Sequence, residues 1–415
     1  MKIAIIGTGI SGLGAAYLLH PHHDITVYEK NAYIGGHSRT IDVTARGKTA
    51  PVDTGFIVFN NWNYPNLMGL FERLGVPYQK SEMSFGVSIA DGWLEYSSGG
   101  LFAQARNFIR PSYWRMLADI VRFNKQAPRY LDRDPTITLG QCLDELRMGA
   151  WFRDYYLLAM GAAIWSCPVD MILDFPARTY VQFFKNHGLL NIKNRPQWYT
   201  VTGGSREYVE RLTAPFRDKI KLSAGVKRVE ARGDQYAVID NKGDEILYDQ
   251  VIFACHADEA LAMIDKPTEA ERAIIGSFSY QPNSIIVHRD MSFMPQRKKC
   301  WASWVYLSEE RKDDKAVVSL SYWMNNLQGI DTQHPVIVTL NPGRRPQEIL
   351  IYNEHKFSHP IFNTQAIQAQ ERLAEIQGQR GLWFCGAYQR YGFHEDGLLS
   401  AVNVAKSLGV PIPWH

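Results

Sequence analysis

Residues 2–29, KIAIIGTGISGLGAAYLLHPHHDITVYE, decide the fold of this chain. The run 2–6 is short, apolar and rich in isoleucine, which is typical of a parallel strand covered on both faces. A glycine-rich turn follows directly, and residues 13–19 predict a helix. Residues 24–29 predict a second strand that ends in an acid, Glu29. This order of strand, glycine turn, helix and strand indicates a Rossmann-type βαβ unit.

The spacing of the glycines in this turn has a physical reason. Gly7 permits a tight turn, Gly9 lets backbone approach a pyrophosphate, and Gly12 lets the helix pack close to the strand. The pyrophosphate then lies at a helix N-terminus, where unpaired N–H groups and the helix dipole favour negative charge. Glu29 is placed to accept hydrogen bonds from a ribose and would repel a 2′-phosphate. The sequence therefore predicts a dinucleotide site, and the alternative is a glycine-rich loop without a ligand.

The segment after Glu29 indicates which dinucleotide is bound. Residues 30–40, KNAYIGGHSRT, resemble the second fingerprint of flavin-containing amine oxidases and phytoene-desaturase-like enzymes. In that superfamily the segment lies along the FAD pyrophosphate, so the resemblance implies FAD. Arg39 is suited to a charge-assisted bond to phosphate, and Ser38 to a neutral one. The chain departs from the family at His37, where the family often carries Arg.

The C-terminal end of the chain also resembles this superfamily. Residues 382–388 predict an apolar strand that ends near a glycine, and residues 392–402 lead into a helix running to about Leu408. In the family, the N-terminus of this helix points at the pyrimidine end of the flavin. The N–H groups of Gly397 and Leu398 would then stabilise negative charge on the reduced cofactor.

Smaller segments match the family as well. Residues 53–55 resemble the turn that passes beside the flavin, and residues 201–206 resemble a glycine turn before a helix. The strand 225–231 contains Val226, where the family uses backbone to meet adenine. Residues 249–256 resemble a later strand of the sheet that ends near the cofactor.

The resemblance implies a set of cofactor-binding residues spread along the chain. They are Gly7, Gly9, Ile10, Ser11, Gly12, Glu29, Lys30, Gly36, His37, Ser38, Arg39, Thr54, Gly55, Phe56, Val226, Gly386, Gly397 and Leu398. In the terminal turn, Gly386 is followed by Ala387 and Tyr388 rather than by a Cys or His suited to attachment. We therefore expect the FAD to be held non-covalently.

The resemblance also implies an α/β protein with two discontinuous domains. A Rossmann-like FAD-binding domain, a parallel sheet with helices, is expected from residues 1–75, 200–265 and 375–415. An α+β substrate domain of the amine-oxidase type is expected from residues 76–199, mostly helical, and 266–374, rich in strands. The sequence contains no second GxGxxG and so offers no separate NAD(P)H site. These features favour an oxidase or desaturase that takes electrons from its substrate.

Four segments resemble one bacterial branch in particular, the FAD-dependent proteins often found alongside cyclopropane-fatty-acid synthases, which include methyl-branched fatty-acyl desaturases. The segments are residues 161–166, 186–190, 322–328 and 392–397. The resemblance implies a lipid acyl chain as substrate, oxidised by hydride transfer from carbon to flavin N5. Apolar side chains of the middle region could wall its pocket or simply be core, namely Trp165, Phe175, Phe183, Phe184, Trp198, Tyr322 and Trp323.

The catalytic residues predicted from this resemblance are Tyr322, Trp323, His394 and Glu395. A base for the remaining proton is sought among His187, His394, Glu395 and Tyr322, and the sequence does not rank them. Residues 394–396 also fit a helix N-cap, in which an acid satisfies the free N–H groups of the first turn. The functional and the structural interpretations are compatible.

Two other functions remain open from the sequence. A true amine oxidase would need an aromatic sandwich, for which Trp323 and Tyr388 are available, and often a lysine beside N5, which cannot be identified. A flavin-bearing accessory protein for a neighbouring lipid methyltransferase would have no turnover of its own. A redox-silent flavin would favour the latter.

Composition narrows the partners and the setting. A net charge of +3 over 415 residues argues against a nucleic-acid partner bound through a basic face. The five cysteines are dispersed without a CxxC pair, which favours reduced thiols in a cytoplasmic protein and argues against a zinc site. The segment 20–23, His-Pro-His-His, is expected to be a solvated turn, so no metal is predicted. The ligand is expected to be a small molecule or lipid, and the oligomeric state is left open.

Basic and aromatic residues cluster at residues 105–131. Such a stretch is suited to resting on anionic membrane lipid, as a lipid-modifying enzyme requires. An ordinary surface helix with long basic side chains accounts for the pattern equally well. Peripheral membrane contact is therefore an open prediction for a protein otherwise expected in the cytoplasm.

Overall fold

The computed structural model describes residues 1–45, 47–165, 172–191, 193–309 and 318–415. Twenty mostly short strands within these ranges form five sheets. The strands are β1 (Lys2–Ile6), β2 (Asp24–Tyr28), β3 (Thr40–Ala45), β4 (Lys48–Asp53), β5 (Phe59–Asn60), β6 (Tyr78–Ser81), β7 (Phe85–Ile89), β8 (Leu94–Ser97), β9 (Trp198–Val201), β10 (Ile220–Lys221), β11 (Val226–Arg232), β12 (Gln235–Asp240), β13 (Glu245–Tyr248), β14 (Gln250–Phe253), β15 (Tyr280–His288), β16 (Trp304–Ser308), β17 (Val318–Trp323), β18 (Ile337–Leu340), β19 (Ile351–Pro360) and β20 (Leu382–Phe384).

The α-helices of the described ranges lie on both sides of the chain's main sheet and in a helical middle region. They are α1 (Ile10–Leu19), α2 (Pro65–Leu74), α3 (Pro111–Gln126), α4 (Leu139–Glu145), α5 (Ala150–Phe152), α6 (Leu158–Trp165), α7 (Ala177–Asn186), α8 (Arg206–Thr213), α9 (Ala257–Met263), α10 (Glu269–Ile275), α11 (Met324–Leu327), α12 (Thr364–Arg372) and α13 (His394–Ser407). None of the helices in these ranges combines the length and the apolar character needed to cross a membrane.

A five-stranded parallel sheet forms the first layer, in the order β10-β2-β1-β14-β20. Its central strand β1 is buried from Ile3 to Ile6, as expected when helices cover both faces. Strands β1, β2, β14 and β20 come from the beginning, the middle and the end of the chain. The predicted Rossmann-like unit is therefore present, and its β1 has the predicted bounds.

Helix α1 begins at Ile10, three residues before the predicted start, so the glycine turn leads directly into the helix. A glycine in this helix allows close packing against α13. A Cβ at Gly14 would lie 2.6 Å from Leu398 Cδ1 on α13, so the two helices approach closely only without that side chain. Helix α13 ends at Ser407, one residue before the predicted Leu408.

The second layer is a seven-stranded mixed sheet in the order β19-β15-β18-β17-β16-β7-β8. Only β16 and β7 pair in parallel, while the other neighbours are antiparallel. The helical middle region packs on the β7–β8 end of this sheet, where Val87 and Tyr96 contact the core of α3 around Tyr113 and Phe123.

The proposed domain boundaries need adjustment at two places. Helix α10 and helix α12 fall inside 266–374, the stretch expected to belong to the substrate domain. Their apolar residues, including Ile274 and Ala369, instead share one core with the parallel strand residues Val251 and Phe253. These short amphipathic helices cover a face of the parallel sheet, a long-range contact that the local sequence does not signal. One residue of the predicted match at 161–166, Ser166, lies outside the described residues.

Candidate functional site

The glycine turn after β1 has the geometry that its spacing predicts. Gly7 has a φ of +111°, a conformation that side-chain-bearing residues rarely adopt. A Cβ at Gly12 would lie 1.9 Å from the Gly7 carbonyl oxygen, so only glycine fits there. At Gly9, by contrast, a Cβ would meet nothing within 4 Å. The turn therefore leaves open space at the one glycine expected to face a ligand.

A second glycine turn faces the first. Gly36, with a φ of +56°, approaches so closely that a Cβ there would lie 3.0 Å from Gly9 Cα. Arg39, the residue after Ser38, donates to Thr54 Oγ1 at 3.2 Å and to Asn353 Oδ1 at 3.1 Å. Among the described residues, no carboxylate lies within 4 Å of this half-buried guanidinium. It is thus a cation with neutral partners, suited to an anionic ligand.

Two helix N-termini meet beside these turns. A Cβ at Gly397 in α13 would lie 2.8 Å from Ile10 Cγ2 and 2.9 Å from Ser11 Oγ in α1. Leu398 is fully buried beneath this contact, and the Gly386 N–H donates to Ser400 Oγ at 2.9 Å. Because both helices direct the positive end of their dipoles here, the junction favours a negatively charged group.

Glu29 lies where the fingerprint predicts, buried at the end of β2 and beside the glycine turn. Its carboxylate accepts hydrogen bonds from Thr8 N at 3.1 Å, from Thr8 Oγ1, and from Asn31 N and Nδ2 at 2.8 Å each. A ribose bound here would therefore share or replace protein donors. Val226 opens β11 in the neighbouring sheet, and Lys30 pairs with Glu259 at 2.5 Å.

These features fit an FAD site. Gly9 leaves open space, two helix N-termini converge at Gly397, and Arg39 lacks a carboxylate partner within the described ranges. A dinucleotide with a diphosphate bridge matches this combination of backbone N–H groups and one cation. The fit is made mostly by backbone, so it depends on the fold of the two turns more than on side-chain chemistry.

The position at which the chain departs from the family, His37, lies among other histidines. Its ring stacks on Phe357 with centroids 4.3 Å apart and lies 5.3 Å from His359. Its Nε2 has no hydrogen-bond partner among the described residues. Burial lowers the pKa of His37 well below its usual value, and His359, His256, His394 and His355 lower it further. These histidines are distant in sequence, so the cluster could not be recognised before the position of β19 in its sheet was known.

His394 belongs to the junction of the glycine turns. Its ring stacks on Phe56 at 3.8 Å, and its Nε2 lies 2.7 Å from Tyr208 Oη and 3.3 Å from Ser38 Oγ. Burial lowers the pKa of His394 to about 3, so the ring is neutral at pH 7. The predicted catalytic residue thus ties the last helix to the second glycine turn. Gly55 is equally constrained there, because a Cβ would lie 2.3 Å from the His37 carbonyl oxygen.

Of the two acids considered for the cap of α13, Asp396 forms it and Glu395 has other partners. Its carboxylate accepts from Asn66 N at 3.0 Å, Asn66 Nδ2 at 2.7 Å and Leu67 N at 2.9 Å. It therefore caps α2 rather than its own helix. Asp396 does cap α13, by accepting from Phe393 N at 2.9 Å. Burial raises the pKa of Glu395 to about 7. Its three hydrogen bonds stabilise the start of α2, and its catalytic role stays a prediction.

Tyr322 and Trp323 point to opposite faces of their sheet, because successive side chains of a strand alternate. The Tyr322 ring lies 5.1 Å from that of Trp304, on the face that packs toward Ile57. Trp323 instead lies 5.2 Å from Trp301, in a separate apolar cluster. The two predicted catalytic residues therefore lie in different surroundings, and Trp323 is not among the residues that line the cavity described next.

An apolar cavity of about 110 Å³ lies between strands β7 and β16 of the seven-stranded sheet, strand β9, and helices α6 and α7. Phe393, directly before α13, is one of its walls, so the cavity adjoins the junction of helix N-termini. His187 also lines it, and its Nδ1 lies 3.0 Å from the Phe183 carbonyl oxygen. Burial lowers the pKa of His187 to about 4. The full lining is Met83, Ser84, Phe85, Met160, Ala163, Ile164, Phe183, His187, Leu189, Arg195, Pro196, Trp198, Trp304 and Phe393.

The sequence anticipated part of this cavity. Phe183 and Trp198 were expected in the pocket wall and line it, as does His187 from the group of candidate bases. Trp165, Phe175 and Phe184 belong to the core of the helical region, because they pack on one another and on Tyr180. Trp304 and Arg195 were missed, since neither lies in a segment with a recognisable motif.

Comparison with known proteins defines the class of protein. The sequence profile described as flavin containing amine oxidoreductase matches residues 10–350. The chain is 25% identical over 258 residues to AofH of Mycobacterium tuberculosis, a candidate flavin-containing monoamine oxidase. This match covers 59% of this chain and 54% of AofH, so the chain spans about half the length of the curated relative it matches.

Solved structures share the fold over nearly the whole chain. Cyclohexylamine oxidase from Brevibacterium oxydans superposes with a TM-score of 0.72 at 16% identity, covering 98% of this chain and 99% of that one. The CLA-producing fatty acid isomerase from P. acnes gives a TM-score of 0.71 at 15% identity, covering 98% of both chains. At these identities the likeness concerns the fold alone.

The chain belongs to the flavin-containing amine oxidoreductase family, because the family profile covers most of its length. FAD is accordingly its cofactor, in agreement with the glycine turns and helix N-termini described above. The bacterial branch associated with cyclopropane-fatty-acid synthases remains a prediction.

Proposed function

We propose that this protein is an FAD-dependent oxidoreductase that removes hydride from an apolar substrate, a lipid acyl chain, while holding FAD non-covalently. The observation that carries the proposal is the apolar cavity next to Phe393 and the N-terminus of α13. A substrate held in this cavity would lie beside the expected flavin site, because Phe393 both lines the cavity and directly precedes α13.

The composition of the cavity wall supports an apolar substrate. Of its fourteen residues, only Ser84, His187 and Arg195 carry a hydroxyl, an imidazole or a guanidinium. No carboxylate and no lysine is among these lining residues. A charged ammonium would lose its hydration here without gaining an acidic partner, which is costly, whereas an alkyl chain loses nothing. Apolar walls with a few polar groups are the usual composition of such sites.

When bound, FAD supplies the hydride acceptor, so that a substrate C–H bond breaks and the substrate is oxidised. Formation of a double bond also requires a proton to leave the adjacent carbon. His187 is suited to accept it: its Nδ1 must carry the hydrogen donated to the Phe183 carbonyl, which leaves Nε2 with a free lone pair. The low pKa keeps the ring neutral at pH 7 and favours later release of the proton. The aromatic walls exclude water.

A flavin amine oxidase is the second candidate, because the relative AofH is named for that activity and cyclohexylamine oxidase shares the fold. The aromatic pair considered for it from sequence does not support it. Trp323 packs on Trp301, and Tyr388 is buried against Phe278 in the core of the parallel sheet. Neither residue lines the cavity.

The test is an anaerobic visible spectrum of the yellow protein, recorded before and after addition of phospholipids with methyl-branched acyl chains. We expect the flavin band to bleach and a new double bond to be found in the extracted lipid. Bleaching by amines but not by lipids would replace the proposal with the amine-oxidase function. A band that no substrate bleaches would favour the non-catalytic accessory role.

A matched pair of variants connects this result to the cavity. Ile164→Trp fills the cavity from its wall, and Ile349→Trp changes a side chain that is 81% exposed elsewhere. Only Ile164→Trp should slow bleaching by the lipid while retaining bound flavin. Equal rates in both variants would mean that the substrate does not enter this cavity.

A further inference from the structure

Exposed apolar side chains are concentrated in one short part of the surface. Ten large hydrophobic residues of the described chain are exposed, and five of them fall within residues 101–121. These five form the apolar patch, and their exposed fractions are large: Leu101 39%, Phe108 55%, Ile109 79%, Trp114 49% and Val121 52%. Single exposed hydrophobic residues are ordinary, but a cluster of this kind marks a contact surface.

The patch is held in shape by the protein itself. Phe102 stacks on Phe108 with centroids 4.3 Å apart and lies 5.1 Å from Trp114. The Trp114 indole N–H donates to the Phe108 carbonyl at 2.9 Å, and Tyr113 Oη donates to the Leu101 carbonyl at 2.6 Å. These contacts join the 3₁₀ turn at Ala105–Ile109 to the first turns of α3. The apolar side chains are therefore preorganised.

In the chain segment that carries the patch, the charged residues are mostly basic. Residues 96–131 contain six basic residues and a single acid, Asp119. Asp119 is buried, pairs with Arg122 at 2.8 Å and accepts from Gly149 N at 2.9 Å, so its charge is compensated internally. Arg106, Arg115 and Lys125 are exposed, and Arg115 lies 3.9 Å from Asp119 Oδ2. The segment thus combines protruding apolar side chains with a net positive charge.

Helix α3 carries this combination along one side. Trp114, Ala118, Val121 and Lys125 follow at helical spacing and are all exposed, while Tyr113, Met116 and Phe123 face the core. The helix therefore has an apolar outer stripe that ends in a cation, in addition to its buried stripe. An ordinary surface helix would carry polar residues on this outer side.

We propose that the apolar patch docks onto an anionic phospholipid membrane surface, with Phe108, Ile109 and Trp114 entering the interface and the basic residues meeting lipid headgroups. Tryptophan and aliphatic side chains favour the interfacial layer, and basic residues near it are attracted by acidic lipids. A partner protein would need an apolar socket for the protruding side chains and an acidic rim for the basic residues. An anionic membrane offers an apolar interior below a layer of negatively charged headgroups.

The test is flotation of the full-length, FAD-loaded protein with vesicles of phosphatidylcholine alone or mixed with phosphatidylglycerol. We expect binding to the mixed vesicles at least about tenfold tighter than to the neutral ones, falling at high salt because exposed charges are screened. Absence of binding to the mixed vesicles would overturn the proposal. Equal binding to both vesicles would overturn the role of the basic residues.

Matched variants locate the contact. The double change Phe108→Ser and Ile109→Ser removes the tip of the patch, and Ile349→Ser removes an equally exposed isoleucine elsewhere. The double variant should lose vesicle binding with unchanged flavin content, and Ile349→Ser should bind as the parent does. If the double variant instead converts a dimer to a monomer in sedimentation without changing vesicle binding, a second copy of the chain covers the patch and the proposal fails. The flavin-bleaching experiment with dispersed lipid is independent of this outcome.

Discussion

The glycine-turn unit and the apolar cavity are specified in opposite ways. In the turn, a Cβ at Gly12 would lie 1.9 Å from the Gly7 carbonyl oxygen, and a Cβ at Gly7 would lie 2.5 Å from the carbonyl oxygen of Ala254, which follows β14. A Cβ at Gly9 would meet open space, so three glycines within six residues mark the site even though one of the close contacts is long-range. The cavity takes its fourteen walls from segments as far apart as Met83 and Phe393, and none of those segments forms a site alone. A site formed by the backbone of one short motif can be recognised from the sequence, whereas a site formed by distant side chains can be recognised only once the fold is known.

The largest expected effect separates the two uses of glycine within the turn. Gly12→Ala places a Cβ 1.9 Å from the Gly7 carbonyl oxygen, a backbone atom that cannot yield. We expect the variant to lose the folded state, measured as loss of soluble protein and of cooperative unfolding. Gly9→Ala is the matched control, since its Cβ meets nothing within 4 Å. It should fold normally and bind FAD more weakly; equal FAD binding by Gly9→Ala would contradict the assigned approach of the pyrophosphate.

The second prediction concerns Glu395, a predicted catalytic residue whose carboxylate caps α2. Glu395→Gln leaves a single acceptor oxygen for three donors, so one N–H at the start of α2 faces an amide NH₂. We expect a loss of about 1–3 kcal/mol in the free energy of unfolding, measured by urea denaturation. The exposed Glu375→Gln, which breaks a surface pair with Arg372, should cost less than about 1 kcal/mol. A stable Glu395→Gln that no longer reduces its flavin would restore the catalytic interpretation.

The third prediction tests His37, the departure from the family within the second glycine turn. Its pKa is depressed in the folded state. Below about pH 6.5 the imidazole is therefore protonated in the unfolded chain but stays neutral in the folded protein. Flavin-free protein should therefore lose stability as the pH falls below about 6.5, with no contribution from His37 above that value. His37→Gln should flatten the decline by at most about 1.4 kcal/mol per pH unit. The exposed His22→Gln serves as control, and a decline that is identical in all three proteins would refute the argument.

The smallest effect is expected at the cavity wall. The Trp304 indole N–H has no hydrogen-bond partner among the described residues, so Trp304→Phe removes volume without leaving a polar group unpaired. We expect the rate of flavin reduction by the substrate to change by roughly threefold to tenfold. Trp323→Phe, on the opposite face of the sheet, should leave that rate unchanged. A larger effect at Trp323 than at Trp304 would show that the site lies on the other face.

Sequence patterns alone predicted the βαβ unit, the bounds of β1, the helix at the C-terminal end and FAD as the cofactor. Each of these features requires particular residue types at consecutive positions: a strand needs its apolar run, and a turn of the type at Gly7–Gly12 needs glycine at each crowded position.

Which distant side chains contact each other could be read only from the folded structure. His37 lies beside His359, Glu395 caps α2, and Tyr322 and Trp323 belong to different apolar clusters. Each of these outcomes follows from how sheets and helices pack across tens or hundreds of residues, and local patterning specifies which face of an element is apolar but not which partner covers it. The cavity and the surface around Ile109 arise from the same long-range packing, which is why their chemistry becomes visible only in the folded chain.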